Sequence, residues 1–118
     1  MKRGIIPAIL GSMAIAASAA DTPQFPGGPD AMDQFIASVL EYPAAALDNS
    51  VEGVVHVGFT VHADGSISGA KILRPIDPDL EREALRVIKQ MPRWEPSEKE
   101  GKPVDAPATV AITFRIPE

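Results

Sequence analysis

A chain of 118 residues with formal charge −5, five per cent aromatics and no cysteine has room for one modest domain. The missing cysteine excludes disulfides, thiolate metal sites, cysteine nucleophiles and a lipoprotein anchor after the leader. The acidity excludes nucleic acid as a partner, because phosphate contact is the main source of that affinity.

Met1-Lys2-Arg3 is positive, and residues 4–20 follow without a charge, rich in Ile, Leu, Met and Ala. Ala17-Ser18-Ala19 has the small-x-small spacing that a signal-peptidase cleft admits, so residues 1–19 are expected to be a signal peptide. Cleavage before Ala20 leaves 99 of the 118 residues, and removing Lys2 and Arg3 from a charge of −5 leaves −7. The alternative is an uncleaved anchor over residues 4–20, the one place where this chain could meet a membrane. That run stands at the bottom of the spanning range, and Gly4, Pro7, Gly11 and Ser12 dilute its hydrophobicity.

Residues 20–28 form a Pro/Gly-rich lead-in, expected to be extended. From Pro29 the spacing changes: Met32, Phe35, Ile36, Val39 and Leu40 fall at i, i+3, i+4, i+7 and i+8, which predicts an amphipathic helix. Pro29 suits its first turn and Asp30 its dipole. Pro43 ends that helix or starts a further short turn over Ala44–Leu47. Between Gly53 and His62, Val55, Val57, Phe59 and Val61 alternate with His56, Gly58, Thr60 and His62, which predicts a strand.

Asp64-Gly65 is a strong hairpin signal, since Gly accepts positive φ without steric cost. The returning strand, Ser66 to Leu73, breaks parity. Ile67 can share a face with Ala70 and Ile72 only if one residue is extra, and Gly69 marks the expected bulge. Asp77 and Pro78 suit the N-cap and first position of a second helix, with Leu80, Ala84, Val87, Ile88 and Met91 as its buried stripe. Pro92 ends it, Arg93 to Pro96 crosses in extended form, and Ser97 to Gly101 reads as a polar turn. Val104, Ala106, Ala108, Val110, Ile112, Phe114 and Ile116 then alternate as one closing strand.

These elements predict an α+β fold: a two-layer domain over residues 29–118, in the order helix-β-β-α-β. Its three-stranded antiparallel sheet has strand order 2-1-3 and is covered by helices on one face. The first strand is apolar on both faces and belongs in the centre. Trp94 is expected as a core plug over the sheet, with Tyr42 packed near it.

Several motifs occur together in order: Phe25-Pro26-Gly27-Gly28, Tyr42-Pro43, Gly53-x-Val55-x-Val57-x-Phe59, Asp64-Gly65-x-Ile67 and Leu80-x-x-Glu83-Ala84. Trp94-x-Pro96, Gly101-Lys102-Pro103-Val104 and Ile112-x-Phe114 complete the series. From about Phe25 to Phe114 the chain resembles the C-terminal domain of TonB-family energy transducers. The resemblance implies a periplasmic, non-enzymatic module that grips a short segment of a TonB-dependent outer-membrane receptor, the TonB box, as an added strand. Two departures stand out. Full transducers carry an uncleaved anchor and a long Pro-rich spacer, whereas about nine residues, a reach of about 30 Å, separate Ala20 from the first helix here. Ala111 also stands where many relatives have Pro. Binding, rather than full energy transduction, is the expected inheritance.

The closing strand is the candidate site. Pro107 has no N–H and fits a sheet only where that group would face solvent. Asp105, Thr109, Ala111 and Thr113 would then turn their backbones outward, with Val110, Ile112 and Phe114 packed below, ready for an incoming strand. The residues alone favour an ordinary edge blunted by Pro107; the resemblance reverses that order and selects docking. Self-association through the same edge, giving a homodimer or an envelope scaffold, is the alternative partner reading.

His56 and His62 share one strand face about 20 Å apart, too far to ligate one metal. Asp79, Glu81 and Glu83 read as partners of the helix dipole. Ser66 and Ser68 lack a nucleophile-elbow context. Gly27-Gly28 follows no strand, and there is no phosphate-binding loop, so neither cofactor nor metal is expected.

Overall fold

The structure, a computed structural model, describes residues 21–117. The signal peptide expected over residues 1–19 lies outside them, and among the described residues no helix is long and apolar enough to cross a membrane. The helices are α1 (Pro29–Val39), α2 (Ala44–Asp48) and α3 (Pro78–Lys89). The strands are β1 (Gly53–Val61), β2 (Ile67–Ile72), β3 (Ser97–Lys99), β4 (Lys102–Val104) and β5 (Ala106–Phe114).

Three strands form the main sheet in the order β2-β1-β5, antiparallel throughout, as the apolar pattern of β1 predicts. Val55, Val57, Phe59 and Val61 of β1 and Val110, Ile112 and Phe114 of β5 are buried on one face. Leu80, Ala84, Val87 and Ile88 of α3 pack against this sheet, over β1 and β2, with essentially no exposure. Asp77 caps α3 as expected, its carboxylate accepting from Asp79 and Leu80 N–H at 3.0 Å each. Glu81 adds a second clasp by accepting from Ile76 N–H (2.7 Å) and Asp77 N–H (3.1 Å).

The Asp64-Gly65 hairpin and the Gly69 bulge both lie where the pattern puts them. Gly65 has φ +89°, and the Trp94 carbonyl occupies the space a Cβ would need, so only glycine fits. At Gly69 (φ +67°) the pairing changes register: Gly58 faces Lys71, but Thr60 faces Ser68.

Ser97 to Gly101 differs from the expected polar turn. Ser97–Lys99 and Lys102–Val104 pair as a separate hairpin, closed by Glu100 (φ 54°) and Gly101 (φ 80°). Two consecutive positive φ values make the tight turn whose twist suits a hairpin, but Glu-Gly lacks the Asn or Asp that normally announces it. The closing strand is therefore split. Val104 pairs with Ser97, Asp105 bridges, and β5 begins at Ala106.

Trp94 plugs the core, with ring contacts to Phe59 (5.2 Å) and Phe25 (5.9 Å), both edge-on. Tyr42 is not its neighbour. The tyrosine packs edge-on against Phe114 (5.6 Å) and donates its hydroxyl to the Val51 carbonyl, because the turn at Pro43 carries the chain toward the far end of β5. The lead-in is tied down: Gln24 and Glu95 exchange backbone hydrogen bonds of 3.0 and 2.8 Å, and Phe25 is buried between Trp94 and Phe35.

Glu83 also departs from the simple dipole role. It is 9 % exposed, binds Arg86 through both oxygens (2.7 and 2.8 Å) and accepts from Glu41 N–H at 2.7 Å. Arg86 in turn donates to the Val39 carbonyl at 2.6 Å, so the pair clamps the end of α1 to α3. Burial pushes the Glu83 carboxyl up, but the Arg86 and Glu41 hydrogen bonds outweigh it and hold it below the ordinary carboxylate value.

Candidate functional site

β5 pairs with β1 over nine consecutive residues in one register, from Gly53 opposite Phe114 to Val61 opposite Ala106. Which way each backbone turns follows from the other side of β1. Leu73 N–H donates to the His56 carbonyl (2.9 Å), and His62 N–H donates to the Ser66 carbonyl (2.8 Å). Even residues of β1 therefore face β2, and odd ones face β5. The odd positions of β1 oppose Ala106, Ala108, Val110, Ile112 and Phe114. Pro107, Thr109, Ala111 and Thr113 consequently turn their backbones away from β1, and Pro107 loses no ladder hydrogen bond.

Burial follows the same alternation. Thr109, Ala111 and Thr113 are exposed, whereas Val110, Ile112 and Phe114 lie in the core. The three buried side chains position the edge from below and do not face outward. Asp105 does not belong to the row. It precedes β5, and its carboxylate accepts from Ala63 N–H (2.8 Å) and meets His62 Nδ1 (3.1 Å). The Ala63 hydrogen bond, then the one from His62, lowers the Asp105 carboxyl below its ordinary value.

Beside the edge lies a cavity of about 270 Å³, lined by Gln24, Phe25, Pro29, Met32, Trp94 and Thr109 among others. Sequence reasoning quoted Phe25 in its motif series but placed none of these lead-in residues against the edge. The signal that could have found them is the aromatic Phe25 within a proline-rich run, an apolar residue that an unpacked segment has no use for.

A second cluster was also missed. His62 Nε2 lies 2.6 Å from Ser68 Oγ while its Nδ1 meets Asp105. Their separation in sequence hid the grouping. Among the described residues there is no cluster of three or more His, Cys, Asp or Glu able to hold a metal ion.

Fold and edge together define a small α+β domain whose closing strand β5 pairs with no strand but β1 among the described residues and runs beside an apolar cavity. The chain belongs to the TonB C-terminal family: the family model described as Gram-negative bacterial TonB protein C-terminal matches residues 38–116. It is 37 % identical over 75 residues to the protein TonB of Haemophilus influenzae, an alignment covering 63 % of this chain and 28 % of that relative. The solution structure of the Pseudomonas aeruginosa TonB C-terminal domain is similar at 32 % identity and a TM-score of 0.53, covering 66 % of this chain and 79 % of that one. The Helicobacter pylori TonB C-terminal domain shares the fold, with a TM-score of 0.59 at 24 % identity, covering 93 % and 99 % of the two chains.

Proposed function

We propose that this domain binds an extended segment of an outer-membrane receptor, the TonB box, by strand addition along residues 108–114. It would act in the periplasm as a module of TonB-dependent transport, residues 1–19 serving as its export signal and residues 20–28 as the lead-in. The observation that carries this reading is the outward row of Thr109, Ala111 and Thr113. Each offers an N–H and a C=O that β1 does not use, on a strand whose other face is locked into the core. Backbone pairing at about 1 kcal/mol net per hydrogen bond supplies affinity without sequence preference. The cavity beside Thr109 supports selection of one side chain of the incoming segment.

An NMR titration of residues 20–118 with receptor N-terminal peptides tests the proposal. Saturable shifts concentrated at residues 106–114, from a monomer, are the expected result. Shifts elsewhere, or none from a folded monomer, would overturn it. A concentration-dependent mass with shifts at the same residues would instead assign the edge to self-pairing.

A further inference from the structure

We infer that Ser68 is an activated hydroxyl, able to accept an acyl group from small activated esters through general-base assistance by His62. Three contacts beside the turn of the β1–β2 hairpin carry this. Ser68 Oγ and His62 Nε2 are 2.6 Å apart, His62 Nδ1 and Asp105 Oδ2 are 3.1 Å apart, and Asp105 Oδ1 accepts Ala63 N–H at 2.8 Å.

The chemistry of each atom fixes the direction of the chain. An ionised carboxylate only accepts, so the neutral imidazole facing Asp105 carries its proton on Nδ1. Nε2 is then the lone-pair nitrogen, and it faces the serine hydroxyl. A nucleophile, a base and an orienting carboxylate are thus in hydrogen-bonded sequence, the arrangement that raises a hydroxyl's reactivity. Ser66 is wired differently: its hydroxyl donates to Asp64 at 2.6 Å, with no imidazole between them.

Access favours the reaction too. Ser68 is exposed, its neighbour Gly69 has no side chain, and a Cβ built there would meet nothing within 4 Å. The side of the hydroxyl next to the bulge is therefore open to a planar ester. In the step, Ser68 Oγ bonds to the acyl carbon, and its proton passes to His62 Nε2. The bond from that carbon to the ester oxygen breaks, and the alcohol or phenol leaves with the proton or releases it to water. Water then cleaves the acyl-serine with the same imidazole as base. General-base assistance alone is worth about 100-fold, so slow acylation is expected rather than efficient turnover.

The test is incubation of the full chain with p-nitrophenyl acetate, with peptide-level mass spectrometry to locate the adduct and phenolate release to time it. Acetylation of Ser68 about 100-fold faster than of Ser66 is expected. His62→Gln should lower the Ser68 rate to that of Ser66, and Asp105→Asn should lower it about tenfold. A thermal melt matching the parent chain checks that each variant is folded. Equal labelling of the two serines, or an unchanged Ser68 rate in folded His62→Gln, would overturn the inference.

Discussion

β2 and β5 both flank β1, yet they meet it in different ways. β5 keeps nine partners in one register, whereas β2 shifts by one residue between Gly58 and Thr60 and ends after six residues. The bulge at Gly69 bends the β2 edge and breaks the even spacing that an added strand would follow. β5 has no such interruption, and its single proline stands where the missing N–H faces outward. One edge of this sheet is blunted and the other left open, by local chemistry of one or two residues in each.

The two sides also differ in what lies above them. α3 covers β1 and β2 directly, with Leu80, Ala84, Val87 and Ile88 fully buried. The β5 side is covered by shorter pieces, among them Tyr42 against Phe114 and Met32 beside Thr109. No residue of α1 itself is fully buried. The open edge therefore lies beside the more loosely assembled part of the molecule.

Substitutions can break this contrast, starting with the largest effect. Phe114→Ala removes the anchor that Tyr42 and the end of β5 share and should cost about 4 kcal/mol in urea unfolding. Thr109→Pro removes one outward N–H and sets a ring against the edge. It should weaken peptide binding about 100-fold by titration while the unfolding midpoint stays near that of the parent. Undiminished binding would refute docking at this edge.

Glu83→Gln should cost about 2 kcal/mol at neutral pH, because Arg86 loses its ionised partner and α1 loses its clamp. The folded carboxyl titrates below the ordinary value, so the unfolded chain binds the proton first as pH falls. The stabilisation is complete above the ordinary carboxylate range and is lost below it. The parent chain should therefore lose stability on acidification more steeply than the variant.

Gly69→Ala forces a side chain into φ +67° with open space around it. It should cost about 1 kcal/mol and leave peptide binding intact, which separates the blunted edge from the open one. The smallest effect is expected at Asp64, whose carboxyl the Ser66 hydroxyl and N–H, with Arg93, hold at about 2 instead of 3.8. Its contribution is present above about pH 4 and fades toward pH 2, and Asp64→Asn should remove that part of the acid dependence of the melting temperature.

Much of this design was written locally. Alternation over Gly53 to Val61, the Asp64-Gly65 turn, the parity break at Gly69 and the Asp77-Pro78 start are set by backbone dihedrals and side-chain period, so neighbouring residues suffice to place them. Pro107 likewise marks the outward face of β5, because a residue without an N–H fits a sheet only where that group would face solvent. The Glu100-Gly101 hairpin escaped because its first turn residue is a glutamate held at positive φ, against its own preference.

The remaining features depended on distant segments meeting. Gln24 finds Glu95, Glu83 finds Glu41, Tyr42 finds Phe114, and Asp105 reaches His62 across 43 positions. No local period records such pairs, because they are selected when the helices and the sheet bury a common apolar face. The sequence by itself determined the elements apart from the Glu100-Gly101 hairpin, and the parity of the open edge. The tertiary structure decided the cavity beside that edge, the clamp on α1 and the Ser68–His62–Asp105 cluster, since each draws its atoms from segments that only packing brings together.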